Sequence, residues 1–430
     1  MHGVPINRQF EVSLYTELVR FPSQLKKMSV SFILGKIFIC SSFFVWVSFG
    51  LNQMDSQPWP FFFALVFLIS FNRKIPVVGL LLLIPLFLSF MILPISLDSE
   101  LFWLFRGVAS YSIFSTSALA FFCFFYSYGF PLRLVLFFNA LYILVGLAQL
   151  LLGVDIFESI VHVRTTADRG VTSLTPEPTY FGMCLVFFSW TLLLFRLSLR
   201  RKTFLIFYFF NFMAIALLAK SAMAMLFIVI LTALYLIKNL GLLRFGILFF
   251  LLLVLSFFVI GTLDNSRLYK LSALLYELGP LDLMLSDASV NYRVSHVVIS
   301  FLAFFDNLML PHGFGTFGSY FTYYSEKFPS IFWYGGPTNS IMSFMGAFLF
   351  ELGFFGLMFF AFYILILLTS KRVRIAEVIF LLLVTNSALS VAFPFLAMMF
   401  AILLLNTLTH SKNPESNFSY SPSGRIVGTT

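Results

Sequence analysis

Glu177 has the surroundings in this chain that most suggest chemistry. It lies in the run Arg169-Gly170-Val171-Thr172-Ser173-Leu174-Thr175-Pro176-Glu177-Pro178-Thr179-Tyr180-Phe181-Gly182. Prolines on both sides hold its backbone extended, and Pro178 suits the first position of a helix. A carboxylate fixed at such a helix mouth can do acid–base work. The free N–H groups and positive dipole end of the same helix favour an anionic substrate. The plainer alternative is that Glu177 only caps the helix.

A second group of polar residues recurs at helical spacing. Ser289, Arg293, His296 and Ser300 stand at i, i+4, i+7 and i+11 of a helix expected over about 289–306, with Asp287 or Ser289 as its cap. Val290, Val294, Val297, Phe301, Leu302 and Phe305 form the apolar side. Such a helix is expected to lie among lipid headgroups and turn its polar stripe to their phosphates. A merely solvated face is the alternative. Further on, Pro311-His312-Gly313-Phe314-Gly315-Thr316-Phe317-Gly318 contains the letters of a dinucleotide-binding glycine motif. No strand precedes it and no βαβ unit surrounds it, so its glycines are read as permitting tight turns and close backbone approach. The aromatic residues after it suit either sugar stacking or an interfacial belt. Lys220 and Arg106 are each open to phosphate contact or to simple snorkelling. The sequence offers no Asp-x-Asp pair, no closely spaced His/Cys set, no P-loop and no Ser–His–Asp arrangement, so neither a metal nor a cofactor is expected.

The elements that must position these residues are apolar. Of 430 residues, 60% are hydrophobic and 10% are charged, against about 25% charged in soluble proteins. With 83 aromatic residues (Phe 61, Tyr 17, Trp 5), disorder and nucleic-acid tails are excluded as well. Apolar runs long enough for about 30 Å of hydrocarbon cover 30–51, 75–97, 101–128, 134–152, 179–195, 203–219, 221–237, 245–262, 353–369 and 393–408. Weaker runs at 58–71 and 376–391 bring the total to about twelve. The expectation is an all-α polytopic transmembrane bundle.

With the N-terminus cytoplasmic, 18 of the 27 Lys and Arg residues fall inside and 7 outside, while 14 of the 18 acids fall on or toward the outside. That bias makes both termini cytoplasmic. Residues 1–29 then form a cytoplasmic segment with no cleavable leader, 30–410 the membrane domain, and 411–430 a disordered cytoplasmic tail. Cys40, Cys123 and Cys184 all fall in apolar runs and read as small hydrophobes. Only two outside loops are long, 153–178 and 263–338, the latter between spans 9 and 10. Both face away from the cytoplasmic nucleotides, so a donor substrate there must arrive already attached to a carrier, plausibly a lipid of the bilayer.

Four features between about 160 and 370 carry a family resemblance. They are Arg169 followed by Pro176-Glu177-Pro178-Thr179-Tyr180-Phe181-Gly182; the turn Lys220-Ser221-Ala222; Arg293 leading to Pro311-His312-Gly313-Phe314-Gly315; and Asn339-Ser340 before Glu351-Leu352-Gly353. On these the chain resembles the bacterial O-antigen polymerase and ligase superfamily, many-pass inner-membrane glycosyltransferases acting on undecaprenyl-diphosphate-linked glycans. The resemblance implies metal-independent, inverting glycosyl transfer on the periplasmic face, with no nucleic-acid partner. It implies lipid-linked donor and acceptor oligosaccharides, with a flippase and a chain-length regulator as partners. Ligases of the group carry a His-Asn pair where this chain has Thr338-Asn339, which favours a polymerase. A ligase, or a flippase of similar span number, is the alternative. The implied roles are Glu177 as base or acceptor-orienting carboxylate, and Arg169 and Arg293 as diphosphate clamps. Lys220, His312, His296, Arg106, Tyr180 and Asn339 are further candidate substrate contacts.

Overall fold

The computed structural model describes residues 29–48, 57–97, 99–165, 169–236, 267–370 and 373–408. Among them the chain is all helical. The helices are α1 Val30–Phe43, α2 Trp59–Ile69, α3 Ile84–Met91, α4 Leu101–Tyr128, α5 Leu132–Leu152, α6 Pro178–Leu194 and α7 Arg201–Met213. They continue with α8 Ala222–Leu236, α9 Arg267–Ser286, α10 Ala288–Asp306, α11 Phe317–Lys327 and α12 Phe344–Leu352. The last three are α13 Phe354–Thr369, α14 Ile375–Thr385 and α15 Pro394–Leu408. The expected run 245–262 and the two terminal segments lie outside the described residues, apart from Ser29.

Among the described residues, four helices are long and apolar enough to cross a membrane: α4, α5, α10, and α7 with its extension to Ala219. Several other expected spans are shorter or broken, and in the run 75–97 proline is the local cause. The 75–97 run is divided at Pro76, Pro85 and Pro94 into a 3₁₀ stretch, α3 and a second 3₁₀ turn. Glycines in left-handed backbone end α4 (Gly129, φ 81°) and α5 (Gly153, φ 107°). Pro178 opens α6 and Pro394 opens α15.

The centre of the bundle is α15, buried from Pro394 to Asn406, packed along the buried C-terminal half of α4. Phenylalanine fills this contact. Phe114 of α4 meets Phe400 of α15 edge-on at 5.3 Å and Phe344 of α12 at 5.1 Å. Close packing of rings is what these apolar helices offer one another.

Residues 335–343 form no helix, Ser343 caps the start of α12, and Gly353 (φ 59°) separates α12 from α13. A Cβ at 353 would sit 2.5 Å from Pro311 N, so this turn needs glycine. The Tyr111 hydroxyl of α4 donates to Glu351 at 2.7 Å and pins the end of α12.

The helix expected over 289–306 is found at Ala288–Asp306, capped by Asp287, which accepts from Val290 N–H at 2.8 Å. Its orientation corrects the expectation. His296 and Ser300 are fully buried against the protein, while Val290, Val294, Val297 and Phe301 are only half-buried and Phe305 is exposed. The polar stripe points inward rather than to lipid headgroups. The physical reason is that polar groups seek partners inside the bundle, and an apolar face costs nothing against lipid.

Candidate functional site

The loop from Arg169 to Glu177 is held rigidly from two directions. From α5, the buried Gln149 side chain accepts from Ser173 N–H and donates to Thr172 Oγ1 and the Ser173 carbonyl, both at 3.2 Å. The Ser173 hydroxyl donates to the Tyr142 carbonyl at 2.7 Å. From the other side comes a π-helical turn, Ala214–Ala219, ending in Lys220 with left-handed backbone (φ 47°). The π turn frees the Leu218 carbonyl, which accepts from Val171 N–H at 2.9 Å. Gly170 lies so close that a Cβ there would sit 2.1 Å from the Leu218 oxygen. These contacts bury Thr172, Ser173 and Thr175 completely. The buried side chains of Thr172, Ser173 and Thr175 each have a partner.

Glu177 follows in extended backbone (φ −138°, ψ 148°) at the N-cap of α6, and its side chain makes no capping hydrogen bond. Its carboxylate lies 4.0 Å from the Arg164 guanidinium, with side chains 25% and 43% exposed. A pair this open contributes little to stability. The acid does not perform the ordinary structural task of its position.

The N-terminal ends of α6 and α10 face one cavity of about 700 Å³. Arg169, Glu177, Thr179 and Tyr180 line it from the first segment, and Asp287, Ser289, Tyr292 and Arg293 from the second. Tyr334, Gly335, Gly336 and Met342 add a wall from the segment leading to α12. Arg293 Nη2 donates to Thr179 Oγ1 at 3.2 Å, tying α10 to the first turn of α6. Two helix N-termini and two arginines bring positive charge to the cavity, and Glu177 and Asp287 bring two carboxylates. The Asp287 carboxylate already serves the α10 cap. Tyr180 packs at 5.6 Å on Trp46 and 6.3 Å on Phe393 and so presents a fixed ring. Chemically, this arrangement can hold a multiply charged anion beside a carboxylate and aromatic faces.

Arg169, Glu177, Arg293 and Tyr180 thus share one cavity. The other candidates are elsewhere. His296 lies behind the wall, ring against Phe317 at 5.2 Å, with Nδ1 accepting from Met342 N–H at 3.3 Å. His312 is buried: its Nε2 lies 2.9 Å from the Ala303 carbonyl, and its ring stacks on Phe350 at 4.4 Å. Burial pushes the imidazole below its ordinary pKa range, opposed by that carbonyl. Asn339 uses its Oδ1 to accept from Gly318 N–H at 2.8 Å, a loop-closing bond. Arg106 donates to Ser340 Oγ at 2.9 Å and lies 5.2 Å over the Trp103 ring. Lys220 marks the turn that receives Val171. None of these five lines the cavity; they build the segments around it. The glycines at 313 and 315 (φ 76° and 77°) make a turn whose Phe314 N–H donates to Ser96 Oγ at 2.8 Å.

Sequence reasoning missed Arg164, Tyr292 and the π turn. Arg164 carried only the signal of a cation in the same loop as Glu177. The Ala214–Ala219 turn left none, being written in ordinary apolar residues. Among the described residues no three His, Cys, Asp or Glu side chains cluster closely enough to hold a metal ion. Set against protein-family models, characterised proteins and solved structures, the chain matches none of them.

Proposed function

We propose that the protein is a bacterial inner-membrane glycosyltransferase that polymerises undecaprenyl-diphosphate-linked oligosaccharide repeat units into a surface polysaccharide. In this reading the chain spans the membrane about twelve times, both termini are cytoplasmic, and the cavity faces the periplasm. The observation that carries it is the convergence of Arg169, Arg293, Glu177 and Tyr180 on one cavity from segments more than a hundred residues apart. The resemblance of the sequence motifs to the polymerase and ligase superfamily supplies the reaction class.

A hydroxyl of the acceptor's terminal sugar attacks the anomeric carbon of the donor chain. The new glycosidic C–O bond forms with inversion as the bond from that carbon to the diphosphate oxygen breaks. Glu177 takes the hydroxyl proton, and the diphosphate departs as an anion neutralised by the arginines, so it needs no proton. Guanidinium groups suit this task because they contact phosphate oxygens two at a time. Tyr180, Tyr292 and Tyr334 offer ring faces to sugars.

Deleting the gene and identifying the accumulated glycan lipids tests the class. A polymerase leaves single repeat units on the carrier at the outer leaflet. A flippase leaves them at the inner leaflet, and a ligase leaves finished long chains still on the carrier; either result would overturn the proposal. The loop packing gives a second test. Gly170→Ala must displace Arg169 because the clash is with backbone. Elongation in membranes is expected to fall about 10²-fold with protein abundance unchanged. Normal elongation would show that the position of this loop is irrelevant.

A further inference from the structure

Asn291 is fully buried on α10, one residue before Tyr292 and two before Arg293, both of which line the cavity. Its side-chain amide makes three hydrogen bonds, all to main chain outside its own helix. Nδ2 donates to the Ile331 carbonyl at 2.6 Å and to the Met284 carbonyl at 3.2 Å, and Oδ1 accepts from Tyr334 N–H at 3.2 Å. An amide has two donor hydrogens and one acceptor oxygen, so both donors and the oxygen are in use. A buried polar group engaged in this way specifies one arrangement of the segments it joins.

The segment it holds is the cavity wall. Residues 331–342 carry no charge, and Tyr334, Gly335, Gly336 and Met342 among them line the cavity. The far end of the wall is tied as well, where His296 Nδ1 accepts from Met342 N–H. Between the two ends, Asn339 is bonded to Gly318 and Ser340 to Arg106. The Tyr292 ring packs against Gly335, where a Cβ would stand 2.5 Å from it, and meets the Tyr334 ring edge-on at 6.3 Å. Tyr334 is nevertheless 47% exposed. An exposed ring on a fixed backbone has little freedom left to lose when a ligand packs on it. The cavity thus has charged groups at the mouths of α6 and α10 and an uncharged, partly aromatic wall beside them.

We propose that Asn291 is a positioning residue for the glycan: acting through Tyr334, it holds this wall where an uncharged sugar ring packs, and so sets affinity for the glycan rather than the rate of transfer. This rests on the glycosyl-transfer reading of the cavity. A sugar ring offers its C–H face to an aromatic ring, and that contact is the same before the reaction and during it. Losing it weakens binding of substrate and transition state alike, which raises KM and leaves kcat. The charge that develops in the reaction sits at the diphosphate and the attacking hydroxyl, which the arginines and Glu177 face. Asn291 itself does not line the cavity.

Two measurements on the full chain in detergent test this. Amide hydrogen exchange reads the wall without reference to any reaction: Asn291→Ala should speed exchange over 331–336 about tenfold and leave α6 at wild-type rates. Elongation kinetics read the consequence, with the lipid-linked repeat unit that accumulates in the gene deletion as substrate. KM is expected to rise about tenfold with kcat within about threefold, the scale of one lost aromatic contact. Tyr334→Ala should do the same. The double variant should lose no more than Tyr334→Ala alone, because a residue acting through another adds nothing once that other is gone. Asn291→Asp keeps the shape and the acceptor for Tyr334 N–H but turns an oxygen toward two carbonyls. It should raise KM as well, and it carries the test if the Ala variant does not fold. Unchanged exchange in the wall, an unchanged KM, a fall in kcat in place of the rise in KM, or additive losses in the double variant each overturns the proposal. Failure of the reaction reading looks different: there the wild-type chain itself elongates nothing, and the proposal falls with it.

Discussion

Glu177→Gln is expected to reduce glycan elongation by about 10²–10⁴-fold, the usual contribution of a positioned general base. Membrane abundance of the variant should match that of the wild-type chain. The structural argument for that second half is specific. Glu177 occupies an N-cap position but makes no capping hydrogen bond, so the neutral amide removes no support from α6. Pro178 still sets the first turn, and the Gln149, Ser173 and Val171 contacts still hold the loop. The substitution removes the charge facing the cavity, along with a half-exposed contact to Arg164 at 4.0 Å that is worth little. The measurement is transfer between purified lipid-linked repeat units by protein in detergent, with chain length resolved by electrophoresis. A Gln variant that elongates at the wild-type rate would remove Glu177 from the reaction and leave the cavity as a binding site only.

Arg293→Ala should cost about 10²–10³-fold, the loss seen when one preorganised stabiliser of developing charge is deleted. Arg293 is the better of the two arginines for this test because its place is fixed by a visible partner. Its Nη2 donates to Thr179 Oγ1 at 3.2 Å, which aims the fork into the cavity from α10. Arg293→Lys keeps the charge and loses the planar fork, so it should recover only part of the activity. Thr179→Val removes the positioning bond and keeps the guanidinium, and a smaller loss is expected. The same assay reads all three. Full recovery by Lys would mean that charge alone matters there, and full activity of Arg293→Ala would show that Arg293 takes no part.

The cavity was only partly legible in the amino-acid order. Glu177 could be singled out because its constraint is local: two prolines and a helix start lie within three residues of it. Arg293 could be singled out by its helical stripe, and the glycines at 313 and 315 by their turn chemistry. The same stripe misled about direction, because an amphipathic pattern says that two faces differ and not which of them meets lipid. His296 and Ser300 turn inward, where polar side chains and backbone carbonyls are available as partners. His312 and Asn339 stood among the further candidate contacts in sequence, yet a carbonyl at Ala303 and an N–H at Gly318 already engage them.

The sequence alone settled the features that neighbours along the chain dictate. Those include its apolar, helical character, the cap at Asp287, the helix start at Pro178 and the charge asymmetry of its loops, but not the breaks that Pro76, Pro85 and Pro94 make in the run 75–97, which read as one span. Tertiary structure alone decided which candidates meet. Thr179 and Arg293 are 114 residues apart, and no periodicity links them. Their contact depends on how α6 and α10 dock, and on a π turn whose freed carbonyl holds the Arg169 loop against α7. Ring packing sets that docking, and its geometry is a sum of many weak contacts that no single residue announces.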